Sequence, residues 1–461
     1  MMRRLFRQRQ TDFLNGVIYQ QILLFFIPIF FGTLFQQLYN TVDAIIVGNI
    51  VGKQALGAVG GSTGTVINLL VNFVTGVSSG ATVVIAQFYG KGDRAGVKKG
   101  VDSGIFLAVM MGILLTVVGM ITAPAMLRML NVPEDMYAFA LTYMRIYYVG
   151  LIPTLIYNTG AGILRATGDS RRPLYFLMVS CLVNIILDIA LVAWIPLGVA
   201  GAAIATVISQ LASCYLTLRV LRNSEESYQF SFRTMKLDVP VLRQIIKIGL
   251  PTGIQSALYA IANLFIQASV NSYGTDTVAA YTAFGKVDAL FWNYSGALGT
   301  SVMTFVGQNF GAGNIERLKK GIREGAVLYI IGAGLISFFC LTFGNAIYHL
   351  FTNDPEVLRI GMELMRFIAP WWATFVAVEI LSSSIRACGD SLNTMIITAL
   401  GIGFFRIVWI LFYPGKTVFD TLRCYPISWV LTGILFVIYY LNGAWLRRSL
   451  KQREKLIRAN N

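Results

Sequence analysis

The sequence is an internal duplication, and the two copies are offset by 221 residues. RATGDS at 165–170 returns as RACGDS at 386–391, so that Arg165 corresponds to Arg386. QFYGKGDRAGVKKG at 87–100 returns as QNFGAGNIERLKKG at 308–321 with the same offset. Two like halves that share one membrane commonly form a transport pathway between them. The duplication therefore limits the chain to folds made of two similar lobes.

Composition indicates that both halves lie in a membrane, because 56% of the residues are hydrophobic and only 13% are charged. A helix that crosses about 30 Å of hydrocarbon needs roughly 20 apolar residues. Twelve segments meet this requirement, at 21–48, 55–88, 97–125, 135–164, 173–194, 198–220, 244–271, 278–309, 318–346, 356–385, 393–413 and 419–446. We predict an all-α membrane protein of twelve transmembrane helices, in two six-helix lobes related by pseudo-two-fold symmetry along the membrane normal.

The distribution of lysine and arginine predicts the orientation, because these residues accumulate on cytoplasmic loops. Of the 37 lysines and arginines, 28 lie before the first span, after the even-numbered spans or in the carboxy-terminal tail. This pattern predicts a multi-pass plasma-membrane protein, in bacteria an inner-membrane protein, with both termini in the cytoplasm. The predicted parts are an N-lobe (1–220), a cytoplasmic linker (221–243), a C-lobe (244–446) and a basic tail (447–461). The net charge of +15 fits this topology and contact with anionic lipids, and we predict no nucleic-acid partner.

Several kinds of chemistry lack the residues that they require. His349 is the only histidine, which excludes HExxH metalloproteases and histidine-based nucleophile relays. The five cysteines have no CxxC spacing and lie mostly in apolar segments, so neither a disulfide framework nor a structural metal site is indicated. No Asp-rich DxxxD pair supports an intramembrane prenyltransferase. We therefore predict a protein that is not an enzyme and has no cofactor.

Polar side chains inside the apolar spans mark the candidate site, because a charged group at mid-membrane costs about 2.5–3.5 kcal/mol and is usually retained for function. Three helices of the first half each carry a polar stripe: Gln36, Asn40 and Asp43 on the first, Asn184 and Asp188 on the fifth, and Thr206, Gln210 and Ser213 on the sixth. Turned inward, the stripes would form one oxygen-lined pocket for a small cation.

Asp43 and Asp188 are the candidate acidic pair of this pocket. Two carboxylates close together in a medium of low dielectric constant repel each other. Such a pair either binds a proton near neutral pH or recruits Na⁺ among hard oxygen ligands. The alternative interpretation is that both are capped polar groups that hold helices together, or that Asp43 lies in water near the outer mouth.

These residues resemble the multidrug and toxic compound extrusion (MATE) transporters, in particular the prokaryotic branch that includes DinF-like proteins. The resemblance covers nearly the whole chain, including the repeated glycine-rich elements and the proline fifteen residues before Asp43. It implies an amino-lobe cation site and a substrate cavity in the same lobe. The implied cation site consists of Asp43, Asn184, Asp188 and Thr206, and the residues similar to those lining the cavity are Gln36, Tyr39 and Asn158. With Asn40, Gln210 and Glu379 these form our predicted substrate cavity.

The second half departs from the family pattern. Tyr259 stands where some members have a glutamate, and the repeat positions of Asn184 and Asp188 are Phe405 and Trp409. The charged residues of the C-lobe spans are Lys286, Asp288, Glu379 and Arg406. We expect Lys286, Asp288 and Arg406 to form salt bridges with one another. Glu379 has no evident partner and is a candidate for substrate or proton binding.

Prolines indicate where helices could bend. Pro28, Pro153, Pro251 and Pro370 are predicted to interrupt the first, fourth, seventh and tenth helices. A kink at Pro28 could close the first helix over Asp43, which makes Pro28 the candidate hinge. A static kink is the alternative.

The predicted function is secondary-active antiport, in which an amphipathic, cationic organic compound leaves the cell as H⁺ or Na⁺ enters and binds at the four-residue site. H⁺ is slightly favoured, because the branch resembled here is often proton-coupled and because Tyr259 replaces the glutamate of some Na⁺-linked members. The predicted partners are a small organic substrate and membrane lipids, and the protein is expected to act as a monomer. The alternative is a lipid-linked oligosaccharide flippase of the same superfamily, for which Lys286 and Arg406 are the only intramembrane support.

Overall fold

The computed structural model describes residues 11–130, 132–350, 352–413 and 415–460. Within these ranges the chain consists of helices joined by short loops, with no strand. The predicted basic residues Arg3, Arg4, Arg7 and Arg9 lie outside the described residues, and so do the side chains of the tail from 454 on.

The helices follow the duplication. Those of the first half are α1 (Ile18–Ile46), α2 (Lys53–Gly60), α3 (Ser62–Lys91), α4 (Arg94–Met129), α5 (Glu134–Val149), α6 (Leu151–Ala166), α7 (Arg171–Asp188) and α8 (Gly198–Arg222). Those of the second half are α9 (Val239–Asn271), α10 (Thr275–Ala312), α11 (Ile315–His349), α12 (Pro355–Ile368), α13 (Ser382–Ala387), α14 (Ser391–Thr398), α15 (Phe405–Phe412), α16 (Val418–Leu422), α17 (Cys424–Asn442) and α18 (Ala444–Asn460).

Tighter or wider helical turns join several of these helices. A 3₁₀ segment occupies Ala369–Phe375, and π-helical segments occupy Val47–Val51, Ile189–Trp194, Ala377–Leu381 and Ala399–Phe404. The second predicted span, 55–88, is divided at Gly61 into α2 and α3.

Ten helical segments of the described chain are long and apolar enough to cross a membrane, and α5 with α6, bent by 45°, makes an eleventh. The remaining predicted span, 278–309, lies within α10, which is too polar to qualify. Residues 301–311 of α10 are all buried, so this part of the helix can carry small and hydroxyl-bearing residues without presenting them to lipid.

The duplication is also visible where helices end. Gly92 ends α3 with φ 74°, and Gly313, 221 residues later, ends α10 with φ 83°. Glycine adopts this left-handed conformation at little cost, and it closes a helix by capping the last carbonyl groups. The repeated glycine-rich elements therefore stop equivalent helices at equivalent residues.

Contacts divide the described chain into two compact units. The first contains Thr11, Asp12 and Ile27–Gly253, and the second contains Phe13–Phe26 and the chain from Ile254 on. Compared with the predicted lobes 1–220 and 244–446, the start of α1 is grouped with the second unit, whereas the linker and the start of α9 are grouped with the first. One boundary falls beside Pro28 in α1, and the other falls beside Pro251 in α9.

The prediction that Pro28 and Pro251 interrupt their helices is wrong, because α1 and α9 run through them without a break. The other two prolines do accompany irregular turns. Pro153 lies in the first turn of α6, just after the 45° bend, and Pro370 lies in the 3₁₀ segment. The role of Pro28 as a hinge stays a prediction.

The loop between α8 and α9 packs against the first unit. Two of its aromatic side chains, Tyr228 and Phe230, are buried and only 1% and 2% exposed. Further along, the backbone N–H of Lys236 donates to Oδ2 of the buried Asp102 at 3.2 Å, and Lys99 Nζ lies 2.9 Å from Asp238 Oδ2. The predicted linker is therefore an ordered part of the first unit.

Candidate cation and substrate site

The two candidate acids of the first unit lie where α-helix gives way to π-helix. Asp43 is in the last turn of α1, ahead of the π-helical segment Val47–Val51, and Asp188 is the last residue of α7, ahead of Ile189–Trp194. The two π-helical segments pack against each other. Wider turns of this kind are frequent at functional sites, because they leave backbone groups and side chains out of the regular helical pattern.

Both acids are withdrawn from solvent, and three of their four carboxylate oxygens are buried without a hydrogen-bond partner among the described residues. Asp43 is 7% exposed, and Asp188 is 0% exposed. Among the described residues no partner reaches Asp43 Oδ1 or either carboxylate oxygen of Asp188. The two carboxylates are close enough to repel each other electrostatically. Because burying an unpaired charge is costly, this arrangement fits a site that is completed by a proton or a cation.

The other two residues of the implied cation site, Asn184 and Thr206, are also buried, with exposures of 0% and 4%. Neither Oδ1 nor Nδ2 of Asn184 has a hydrogen-bond partner in the described part of the chain. Thr206 Oγ1 donates to the Ala202 carbonyl at 3.0 Å, which leaves its lone pairs free to accept or coordinate. Two carboxylates, an amide and a hydroxyl are hard oxygen donors that suit Na⁺ and can equally surround a proton.

No cluster of three or more His, Cys, Asp and Glu occurs in the described ranges. The oxygen donors of the candidate site are of the kind that favours hard cations.

Two buried tyrosines that sequence reasoning did not assign lie in the region of the acidic pair. Tyr143 and Tyr147 of α5 are 5% and 8% exposed. Tyr143 interacts electrostatically with Asp43 and Asp188, and so does the predicted cavity residue Tyr39. The four-residue spacing of Tyr143 and Tyr147 in an apolar span indicates that they share a helix face, although core packing alone produces the same spacing.

Gln210 of α8 lies close to Tyr147, and its Oε1 has no hydrogen-bond partner among the described residues. Its Oε1 points at Gly150, where any side chain larger than a hydrogen would collide with it. The sequence stripe on the sixth predicted helix thus contributes both Thr206 and Gln210 to the same region of the first unit.

The remaining predicted cavity residues of the first half are more accessible. Gln36 and Asn40 on α1 are exposed, and Asn158 on α6 is half-buried. In the described structure no hydrogen bond joins any of the three to the acidic pair, so their assignment to a cavity stays a prediction.

In the second unit Glu379 has partners, contrary to the sequence interpretation. Glu379 Oε1 accepts a hydrogen bond from Ser383 Oγ at 3.3 Å. Arg386 Nη2 donates to the same Ser383 hydroxyl at 3.1 Å, and its guanidinium interacts electrostatically with the Glu379 carboxylate. Ser383 and Arg386 follow Glu379 by four and seven residues, a helical spacing that was available in the sequence.

The expected salt bridges among Lys286, Asp288 and Arg406 are wrong, since no ion pair joins them within the described residues. Asp288 instead accepts hydrogen bonds from the indole nitrogens of Trp292 at 2.7 Å and Trp372 at 3.1 Å. Lys286 is exposed on α10, whereas Arg406 is buried. The indole N–H groups satisfy the carboxylate without an ion pair, which the sequence spacing could not reveal.

Comparison with known proteins identifies the architecture. The MatE family model matches residues 28–190 and 251–411, which cover most of the chain and coincide with its two repeats. The first matched segment begins at Pro28 and the second begins at Pro251.

Relatives match over nearly their whole length. The chain is 28% identical over 448 residues to "Probable multidrug resistance protein YpnP" of Bacillus subtilis (strain 168), covering 95% of this chain and 98% of that protein. It is 24% identical over 459 residues to "Probable multidrug resistance protein NorM" of Thermotoga maritima, covering 95% and 96%.

A solved structure has the same fold. An outward-facing multidrug resistance MATE family transporter of the MOP superfamily gives a TM-score of 0.87 at 20% identity, covering 97% of this chain and 99% of that chain. The predicted fold class, an all-α membrane protein of twelve helices in two lobes, is confirmed by this likeness and by the helices described above.

Proposed function

The chain belongs to the MatE family of multi-pass membrane transporters, and from this premise we propose that it is a secondary-active multidrug antiporter. It exports amphipathic, cationic organic compounds, and H⁺ or Na⁺ enters in exchange. The relatives named as multidrug resistance proteins support efflux as the general function.

The observation that carries the proposal is a pair of buried carboxylates in the first unit, three of whose oxygens have no hydrogen-bond partner among the described residues. Asp43 and Asp188 repel each other, and both polar atoms of Asn184, four residues before Asp188, likewise have no partner in the described ranges. An incoming cation at this position, with Thr206 as a further oxygen donor, removes the repulsion and satisfies the stranded oxygens. The affinity of the site for the ion then depends on helix positions, and this dependence allows ion entry to be coupled to substrate exit.

The free energy needed to export a cation limits how many ions must enter for each compound that leaves. Moving one positive charge out against about 100 mV costs about 2.3 kcal/mol, and a hundredfold gradient adds about 2.8 kcal/mol. One entering monovalent cation cancels the voltage term of one exported cation but leaves its concentration term. Export against a hundredfold gradient therefore needs a second ion or an inward ion gradient of similar size.

The proposal also includes the location of the protein, its oligomeric state and the residues that contact the substrate. It is a plasma-membrane transporter with cytoplasmic termini, in contact with anionic lipids through its basic loops, and it works as a monomer without a cofactor. Gln36, Tyr39, Asn40, Asn158, Gln210 and Glu379 contact the substrate, and bending at Pro28 changes access to Asp43.

The test is transport by purified protein in liposomes that contain a fluorescent organic cation such as ethidium. Imposing an inward H⁺ or Na⁺ gradient should drive ethidium out, and collapsing that gradient with an ionophore should stop its exit. Efflux that is indifferent to both gradients would contradict antiport.

A further inference from the structure

Arg406 of α15 is a buried cation that forms no ion pair within the described part of the chain. It is 2% exposed, and the groups that it contacts directly are neutral. Nε donates to Ser428 Oγ at 3.1 Å, Nη1 donates to Asn263 Oδ1 at 3.2 Å, and the guanidinium lies 4.4 Å from the centroid of the Tyr425 ring. Within the described residues Nη2 has no hydrogen-bond partner.

The carboxylate of Asp288 does not complete this group. It interacts electrostatically with Arg406, but its two oxygens accept from the indoles of Trp292 and Trp372. A buried guanidinium usually has an anion or a full set of acceptors, because desolvating its charge is costly. Nη2 is therefore a buried, charged donor whose hydrogen-bonding capacity no described residue uses, and an anionic acceptor suits it.

The accessible edge of the guanidinium site is polar. Asn263 is exposed, and Tyr425 is half-buried, with its hydroxyl 3.1 Å from that of the half-buried Tyr281. Asn263 is followed on α9 by Gln267 and Asn271 at four-residue intervals. Polar residues on one face of a membrane helix generally line an aqueous space rather than lipid, so a water-soluble group can approach Arg406 from the Asn263 side.

Arg406 lies near the position that corresponds, in the second repeat, to the acidic site of the first, but its charge is positive. Asn263 corresponds to Asn40, with the same offset of 223 residues that relates Pro251 to Pro28. Arg406 follows Phe405, which stands at the repeat position of Asn184. The second unit thus carries a positive charge in the region of its fold where the first unit carries its acidic pair.

We propose that Arg406, Asn263 and Tyr425 form a subsite that binds the carboxylate of a zwitterionic amphipathic substrate. The carboxylate replaces Asn263 as the acceptor from Nη1 and also reaches Nη2, which gives the two parallel bonds that a guanidinium makes with a carboxylate. A single guanidinium fits one carboxylate better than a diphosphate, whose larger charge needs several basic groups. The inference rests on the proposed function, because it treats the ligand as an exported compound.

The test uses equilibrium binding in detergent without any gradient, so that a failure of ion coupling cannot affect it. The probes are rhodamine 110, which has a free carboxylate, and rhodamine 123, its methyl ester, each followed by fluorescence polarisation. Wild-type protein should bind the free acid more tightly than the ester. Arg406→Gln should weaken binding of the acid by about tenfold or more, as expected for loss of a charged hydrogen-bonded pair, and should change binding of the ester less than about twofold.

Two further variants keep the test decisive. Lys286→Gln removes an exposed positive charge from the same unit and should leave both affinities unchanged. Asn263→Asp alters an exposed side chain and places a carboxylate on Arg406, so it should weaken binding of rhodamine 110 even if Arg406 variants fail to fold. The proposal is overturned if the wild type does not prefer the acid or if Asn263→Asp leaves its binding unchanged. Competition by inorganic pyrophosphate more strongly than by benzoate would also overturn it, in favour of a diphosphate ligand.

Discussion

The carboxylate of Glu379 lies directly against Gly299 of α10, where an added Cβ would collide with Glu379 Oε1. Gly299 is buried, so the neighbouring helix backbone forms the wall that holds the carboxylate toward Ser383 and Arg386. The absence of a side chain at Gly299 thus sets the position of the candidate acid of the second unit.

Replacing Gly299 by Ala should displace this carboxylate and lower the free energy of unfolding by about 1–3 kcal/mol, the usual cost of overpacking. The matched control is Gly296→Ala, three residues earlier on the same helix, where a Cβ meets no atom within 4 Å. That change should be neutral or stabilising by up to about 1 kcal/mol. Thermal unfolding of the two purified variants makes the comparison, and equal losses would show that the Glu379 contact is unimportant for packing.

Glu379→Gln should alter which compounds are exported, or their apparent affinity, while ion-driven transport continues. The reason is that Glu379 has a guanidinium nearby and no second carboxylate among its described contacts, unlike the acidic pair of the first unit. The measurement is efflux of several organic cations from proteoliposomes under one imposed ion gradient. Loss of gradient-driven export as complete as that of an Asp188 variant would overturn a coupling site confined to the first unit.

Asp188→Asn should abolish export against a gradient while expression and folding persist. The substitution keeps the shape of the side chain but removes the charge that recruits the ion, and it also removes the repulsion with Asp43. Asp276→Asn, at an exposed position at the start of α10, is the control for loss of an acid elsewhere. Efflux rates and the elution volume in size-exclusion chromatography are the readouts, and native-rate transport by Asp188→Asn would exclude the proposed cation site.

The loop between α8 and α9 should stabilise the first unit in a pH-dependent way. Burial raises the pKa of Asp238, but hydrogen bonds from the Lys99 ammonium and the Val241 N–H outweigh it, so that the pKa lies below its ordinary value. A carboxylate with a lowered pKa stabilises the fold above its unfolded-state pKa of about 3.9, and this stabilisation is lost as the pH falls through the lower folded-state value.

Asp238→Asn should therefore lower the free energy of unfolding at pH 7 by less than about 1 kcal/mol, because Lys99 is largely exposed to solvent. Asp102→Asn should cost more, about 1–3 kcal/mol, because its buried carboxylate accepts from Lys98 and from the Lys236 backbone. Denaturation of the two variants at pH 7 ranks the losses. A larger loss for Asp238→Asn would mean that the loop is held mainly by its surface pair.

The four-residue spacing of Asn184 and Asp188 in an apolar span predicts that both lie on one helix face, and the structure buries both. Charged groups inside apolar spans are rare enough that each one is informative. The same approach failed for Asp288, whose partners Trp292 and Trp372 come partly from a distant segment.

The sequence also does not predict how the start of the described chain packs. Phe13 is fully buried in the second unit, where its carbonyl accepts from Asn309 Nδ2 at 3.2 Å and from Arg317 Nε at 3.1 Å. Hydropathy shows that the segment before α1 is too short and polar to be a span, but it does not show which distant helix supplies its hydrogen-bond partners.

H⁺ and Na⁺ make different demands on the acidic site, and these demands bear on which coupling ion we expect. A proton needs only a carboxylate that can be neutralised, whereas Na⁺ needs several oxygens converging at once. In the proposed site Asn184 and Thr206 add neutral oxygens to Asp43 and Asp188, which suits Na⁺. The Asn184 amide, which has no partner among the described residues, serves equally well to hydrogen-bond a protonated Asp188. We expect H⁺ coupling, in keeping with Tyr259 in place of an acid on α9.

Efflux from proteoliposomes under an inward pH gradient without Na⁺ should therefore be robust, and efflux under a Na⁺ gradient at equal pH should be weak. Asn184→Ala sharpens the comparison, because removing an amide that only supports a protonated acid should slow H⁺-driven efflux without abolishing it, whereas removing a Na⁺ ligand should abolish Na⁺-driven efflux. The matched control is Asn393→Ala at a partly buried position on α14, where the amide donates to Asp390 Oδ1 at 2.7 Å. Transport under the Na⁺ gradient alone would reject proton coupling and assign the side-chain oxygens of Asp43, Asn184, Asp188 and Thr206 to a sodium ion.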